Sequence, residues 1–140
     1  VPTSWLDDTT PRAVATPWTA ERLAGLRQTS VVCALDCTSG WYSTNRWSGV
    51  ALTDLLPPLP PGTRSVEVRS ATGYARRFGA SDLDGIVLAT HMDGAPLAPE
   101  HGAPARLVAP GRRGYWWVKW VTDVEPSTLP AWAQPPFPLT

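Results

Sequence analysis

With 16 prolines and 11 glycines among its 140 residues, this chain is confined to short regular elements joined by ordered loops. Proline fixes φ and removes a backbone donor, and glycine opens turn conformations, so neither supports long helices or strands. The loops are not disorder, because 43% of the residues are hydrophobic and 8 are tryptophan. The length suits one domain with an ordinary core. The 12 basic and 12 acidic side chains cancel, which excludes the basic footprint of a nucleic-acid-binding domain. No apolar stretch approaches the roughly 20 residues of a membrane helix, and no signal-peptide pattern is visible. The chain starts at Val1-Pro2 and reads as a mature product or as one domain cut from a longer protein.

Read along its length, the chain gives an extended arm over residues 1–18 and a short helix that Thr19 could cap, with Glu21 in its first turn and Ala20, Leu23, Ala24 and Leu26 on its apolar face. Ser30 to Asp36 reads as a buried strand and residues 38–49 as a loop. Ala51 to Leu56 reads as a short helix stopped by Pro57-Pro58. Ser65 to Ser70 alternates, with Val66 and Val68 on one face and Glu67 and Arg69 on the other, which predicts a half-buried strand. Tyr74 to Phe78 follows the Thr72-Gly73 turn as a second strand, and Ala80 to Asp84 as a helical turn. Ile86 to His91 is an apolar strand closed by the Asp93-Gly94 turn. Residues 95–104 form a loop, and Ala105 to Ala109 and Tyr115 to Val124 form two further strands. The predicted fold is α+β, a β-rich mixed-sheet domain with short helices and long loops. Residues 1–140 make a single domain: an N-terminal arm and short helix (1–29), a core (30–125) and a Pro-rich tail (126–140).

Chemistry concentrates in two segments. On one strand face Cys33 and Cys37, four apart, stand roughly 13 Å from each other, whereas a disulfide needs Cα atoms within about 7 Å, so they should not pair unless the strand ends before Cys37. Cys33 is read as a buried thiol. Cys37 ends the apolar run and precedes Thr38-Ser39-Gly40-Trp41. Its thiolate is either a soft ligand for a transition metal or a buried structural cysteine. The second segment runs from His101 to Trp120, with Arg106, Arg112, Arg113 and Lys119 around Gly111 and Gly114. Arginine forks and glycine-exposed N–H groups suit a phosphate-bearing ligand, although a solvated basic turn has the same composition. Lys119, between Val118 and Trp120, either snorkels at an edge or points into a site. Tyr74 presents its hydroxyl to a substrate or simply to solvent. His91 and His101 are possible ligands, but with the two cysteines they make no zinc spacing. Asp36 falls on the strand face opposite Cys37, and Ser43 has neither a nucleophile elbow nor an evident base.

Cys37, Trp41 and the run Trp47-Ser48-Gly49-Val50-Ala51-Leu52-Thr53-Asp54-Leu55-Leu56 resemble the cofactor-ligating segment of the oxidoreductase molybdopterin-binding domain family, of the sulfite oxidase and bacterial methionine-sulfoxide reductase catalytic-subunit type. His101-Gly102, Pro104, Arg106, Pro110-Gly111, Gly114 and Val118-Lys119-Trp120-Val121 resemble that family's second motif, and Gly94-Ala95-Pro96-Leu97 the turn before it. The resemblance spans about residues 30–125. It implies the sulfite-oxidase-type fold and a molybdenum–molybdopterin cofactor, with Cys37 as the metal's thiolate ligand. It implies that Thr38, His101, Arg106, Arg113, Lys119 and the backbone around Gly114 hold the pterin and its phosphate, and that Tyr74 lies in the substrate pocket. The implied activity is oxygen-atom transfer on a small oxo-donor or acceptor. Electrons would be exchanged with a separate partner, soluble or membrane-bound, in a bacterial extracytoplasmic or cell-envelope setting. Residues 38–41 lack the arginines of the sulfite-oxidising branch, which points away from sulfite. Two alternatives use the same scaffold: a non-catalytic ligand-binding module with exposed tryptophans, and a degenerate family member lacking the cofactor.

Overall fold

The computed structural model describes residues 20–36, 42–56 and 58–134, and alternation of inward and outward side chains sets its architecture. The clearest case is β3 (Ser65–Ser70), where Val66 and Val68 are fully buried and Glu67 and Arg69 occupy the other face. It is flanked by β4 (Ala75–Gly79) and β8 (Val121–Ser127) in an antiparallel sheet of order β4-β3-β8. On the outer face the Glu67 carboxylate accepts Arg69 at 2.5 Å and Arg77 at 3.1 Å. Pro126, in register with Val66, is tolerated because β8 lies at the sheet's edge.

The second sheet is built on β1 (Thr29–Asp36), β2 (Tyr42–Ala51) and β5 (Val87–Met92). The far edge of β5 is shared between β6 (Ala95–Pro96) and β7 (Arg106–Val108). Helix α1 (Ala20–Ala24) precedes β1, and α2 (Leu52–Leu55) follows β2. Side chains from both sheets and both helices, among them Leu23, Val50, Leu52, Val68, Phe78, Leu88 and Leu107, share one hydrophobic core. The α+β, β-rich class with short helices and long loops is therefore as expected. Every pairing among the described strands is antiparallel, so the parallel component of a mixed sheet is not found among them.

Several local expectations are corrected. The loop over 38–49 gives way, from Tyr42 onward, to a ten-residue strand. Asn45, Trp47 and Gly49 turn inward there while Thr44 and Arg46 face out. β1 is an edge strand rather than a buried one, paired only with β2 among the described residues, and Val32 on its outward face is 60% exposed. Cys33 is half-buried and free, and burial pushes its thiol pKa up. On α1 Leu23 is buried, whereas Ala24, and Leu26 just beyond the helix, are exposed. Ala80 to Asp84 forms turns without a helix. The strand expected from Tyr115 begins only at Val121. Residues before it make a 3-10 turn, Gly114–Trp116, and a loop whose Trp120 has φ +52°, so Lys119 is a loop residue. β8 then runs into the expected tail as far as Ser127.

The β2–β5 pairing jumps from Ser48↔His91 to Gly49↔Ala89, leaving Thr90 as the extra residue. A Cβ on Gly49 would stand 2.7 Å from Ala89 Cα and 2.9 Å from the Leu88 carbonyl carbon, and closer still to that carbonyl's oxygen.

Beyond Met92 the chain reverses through Asp93 and Gly94, with φ of 53° and 86°. The Asp93 carboxylate accepts the Arg46 N–H at 2.9 Å and Asn45 Nδ2 at 2.7 Å, while its own N–H donates to Arg46 O at 2.7 Å. The Arg46 backbone N–H, then the Asn45 amide, hold its carboxyl below the usual carboxylate range. A depressed carboxyl contributes stability that is present above the unfolded value of about 3.9 and is lost as pH falls through the folded value. Melting temperature should therefore fall more steeply with acidification below about pH 4 in the wild type than in Asp93→Asn. Equal slopes would remove Asp93 from the acid transition.

Candidate functional site

Three consecutive carbonyls of a short 3-10 turn, Pro99–His101, are each taken by a side chain from later in the chain. Pro99 O accepts Trp120 Nε1 at 2.8 Å, Glu100 O accepts Lys119 Nζ at 3.1 Å, and His101 O accepts Arg106 Nη1 at 3.1 Å. Gly102 follows with φ 109°. A Cβ there would lie 2.8 Å from Arg106 Cβ and 3.3 Å from Lys119 Cβ and Cγ. Glycine is thus required twice over, for the backbone angle and for the close approach of two cationic stems.

Arg106 is the buried centre of this group, 2% exposed. Its guanidinium lies 5.1 Å from the Trp47 ring centroid and 5.6 Å from that of Trp117, and Nη2 donates to Trp117 O at 3.4 Å. The two indoles meet edge to face at 5.6 Å. Backbone hydrogen bonds fix the loop that carries Lys119: Leu107 N–H to Val118 O at 2.7 Å and Val121 N–H to Ala105 O at 3.0 Å. Trp120 is held in its left-handed conformation by its indole bond and by the Ala71 N–H on its carbonyl.

A second group adjoins the first through Trp117, whose Nε1 donates to Arg112 O at 3.1 Å. The guanidiniums of Arg76 and Arg112 lie 4.2 Å and 4.4 Å from the Trp116 ring centroid. The Tyr74 hydroxyl donates to Tyr115 O at 2.5 Å, within the 3-10 turn that Gly114 opens. Burial pushes the Tyr74 pKa up, against the opposing pull of Arg76.

Of the expected site residues, His101, Arg106 and Lys119 are brought together around Gly102. Tyr74 and Gly114 fall in the neighbouring group, and Arg113, exposed, immediately precedes Gly114. Cys37 and Thr38 lie outside the described residues. His91 Nδ1 is 2.7 Å from Thr90 Oγ1, and no three or more His, Cys, Asp or Glu side chains gather into a metal site among the described residues. Sequence reasoning missed Arg76, for which Arg76-Arg77 in a plain strand gives no signal. It also missed the part of Trp117, since a tryptophan in an aromatic run looks like core. Trp47 and Trp117 are interior and Trp116 half-buried, so these indoles line the site and do not form an open platform.

A family model described as the oxidoreductase molybdopterin binding domain matches residues 9–133. The chain is 34% identical over 119 residues to mitochondrial sulfite oxidase of Macaca fascicularis, across 74% of this chain and 22% of that protein. It is 32% identical over 100 residues to an NADPH nitrate reductase of Fusarium oxysporum, covering 64% and 11% respectively. It is 27% identical over 123 residues to the protein-methionine-sulfoxide reductase catalytic subunit MsrP of Xanthomonas campestris, covering 74% and 38%. Among solved structures, the sulfane dehydrogenase SoxCD of Paracoccus pantotrophus superposes with a TM-score of 0.74 at 27% identity, over 80% of this chain and 35% of that one. The chain therefore spans between 11% and 38% of the length of these relatives.

Proposed function

The chain belongs to the oxidoreductase molybdopterin-binding domain family, and from that premise we propose that it supports oxygen-atom transfer at a molybdenum centre ligated by Cys37. The family implies a molybdenum–molybdopterin cofactor. When bound, that group supplies a two-electron couple able to accept or deliver an oxygen atom.

The residues present fit such a group. Gly102 lets the stems of Arg106 and Lys119 close on its backbone, where a Cβ would meet them at 2.8 Å and 3.3 Å, and so holds two cationic side chains together, as an anionic pterin phosphate requires. In this reading Cys37 gives its thiolate to the metal, with Thr38 beside it. His101, Arg106, Arg113, Lys119 and the backbone N–H of Gly114 hold the pterin and phosphate. Tyr74, whose hydroxyl donates to Tyr115 O, orients a small oxo-donor or acceptor substrate. The buried tryptophans keep water from the guanidinium of Arg106 and so strengthen its interactions. Residues 1–140 act as one domain.

Electrons pass to or from a separate protein. The similarity to a catalytic subunit of a bacterium supports that division of labour, and the location proposed with it is extracytoplasmic, at the cell envelope. Among the described residues no helix is long and apolar enough to cross a membrane. The observation that carries the proposal is the convergence of Gly102, Arg106 and Lys119, two stretches of one motif, into a single cationic cradle.

The test is molybdenum analysis of protein made in a host that synthesises molybdopterin. The wild type should carry close to stoichiometric molybdenum, and Cys37→Ser should lose turnover completely with an unchanged melting temperature. Wild type without molybdenum, or a Cys37→Ser protein as active as wild type, would defeat the assignment.

A further inference from the structure

Three tryptophans stand around the cationic cradle, and two of them have a partner for the indole nitrogen. Trp117 Nε1 donates to Arg112 O and Trp120 Nε1 to Pro99 O. Trp47 does not match them. It is 1% exposed, and its Nε1 is sealed from solvent with no hydrogen-bond partner among the described residues. A buried indole N–H ordinarily finds an acceptor, because leaving one unmade forfeits its hydration with nothing in exchange. Phenylalanine would occupy the same interior position without that penalty, losing only part of the ring volume.

The position of the orphan donor is informative. Trp47 lies in the middle of β2, in register with Val31 on one side and Met92 on the other, so neighbouring strands hold its backbone. Its ring is stacked by the Arg106 guanidinium at 5.1 Å and abutted by Trp117. Arg106 in turn shares the Gly102 cradle with Lys119. The unsatisfied donor therefore stands beside the side chains whose charge and glycine cradle suit an acceptor-rich ligand.

We infer that the Trp47 indole N–H is a hydrogen-bond donor to the bound cofactor, reserved for an oxygen or nitrogen acceptor on it, and that Trp47 is a binding residue as well as a core residue. The inference rests on the molybdopterin reading above. It predicts an asymmetry between empty and loaded protein. In the empty protein Trp47→Phe removes a donor that has no partner and loses only ring volume, so its melting temperature should fall less than that of Trp117→Phe. In the loaded protein the same change removes a bond, so retention of the cofactor should fall about tenfold, the ordinary worth of one such bond. Trp117→Phe is the contrasting variant: its N–H is already spent on Arg112 O, so the empty protein should melt lower.

The experiment is thermal unfolding of empty and loaded protein, together with molybdenum and pterin remaining after prolonged dialysis, for wild type, Trp47→Phe and Trp117→Phe. Nitrogen-15 spectra of the wild-type indoles give a readout that needs no substitution, since one N–H resonance should move downfield and exchange more slowly on loading. A smaller gap between loaded and empty melting temperatures in Trp47→Phe, with faster cofactor loss, is the expected result. Equal cofactor retention, or an empty Trp47→Phe destabilised as much as Trp117→Phe with an undisturbed indole spectrum on loading, would overturn the inference and assign the acceptor to the protein itself. Wild type that takes up no molybdopterin would overturn this inference together with the functional reading, whereas a loaded wild type matched by Trp47→Phe overturns this one alone.

Discussion

Gly49→Ala is expected to lower the melting temperature by roughly 10 °C or more, through a loss of about 3–5 kcal/mol. The added methyl would meet the Leu88 carbonyl and Ala89 Cα, 2.7 Å away in the latter case, and both are backbone atoms of the neighbouring strand. No rotamer change relieves a clash with backbone. Either β2 and β5 separate, losing ladder hydrogen bonds next to the Thr90 bulge, or the bulge moves and Trp47 leaves the core with it. Gly73→Ala is the control. Its φ of 91° makes alanine strained, but nothing lies within 4 Å of the added atom, so only the conformational cost of about 1–2 kcal/mol applies. Thermal unfolding of the two proteins side by side measures the difference. Equal losses would mean that the close approach at Gly49 is not what makes glycine necessary there.

Arg106→Ala should cost a comparable amount, about 3–5 kcal/mol, for a different reason. The change removes the donors from His101 O and Trp117 O and the cation from two indole faces. It also opens a cavity at a 2% exposed position. Stability and cofactor retention should fall together, because the same guanidinium holds the Pro99–His101 turn in place and contributes charge to the cradle. Arg106→Lys separates the two effects. It keeps the charge but not the planar fork that reaches two carbonyls at once, so it should stay destabilised while recovering part of the retention. Unfolding of the empty protein and molybdenum content of the loaded one provide the two measurements. An Arg106→Ala protein as stable as wild type would remove the residue from its structural place.

The parts of the fold legible in the sequence are those where side-chain chemistry and backbone preference agree. β3 shows its period of two in Val66, Glu67, Val68 and Arg69 and is found with the expected ends. The stop at Pro57-Pro58 likewise places α2. β2 was hidden because Asn45, Ser48 and Gly49 are poor strand formers, although its inward–outward alternation is present once Gly49 is read as an inward position. The aromatic run after Gly114 misled in the opposite sense. Its composition is that of a strand, but Trp120 adopts a positive φ that no local preference announces. The candidate site was legible as motif spacing, which singled out His101, Arg106 and Lys119, and the structure brings these three together around Gly102. Spacing does not reveal that Gly102 is the contact between Arg106 and Lys119, or that a tryptophan in β2 stacks on Arg106. Those facts depend on which strands become neighbours, and here residues 47 and 106 meet through β5, which pairs with both strands.

The hydrogen bonds from Leu107 to Val118 and from Val121 to Ala105 join the strand that carries Arg106 to the loop that carries Lys119 just before that loop becomes part of the other sheet. The domain has no soft seam there. In a protein whose ligand-binding charges sit on opposite sides of a flexible joint, part of the binding energy is spent on closing it. Here the joint and the charges belong to the same stitched stretch of chain. The distance between the two cationic stems is set during folding, so a ligand bound by them, as proposed, would find both charges preorganised and have little left to order.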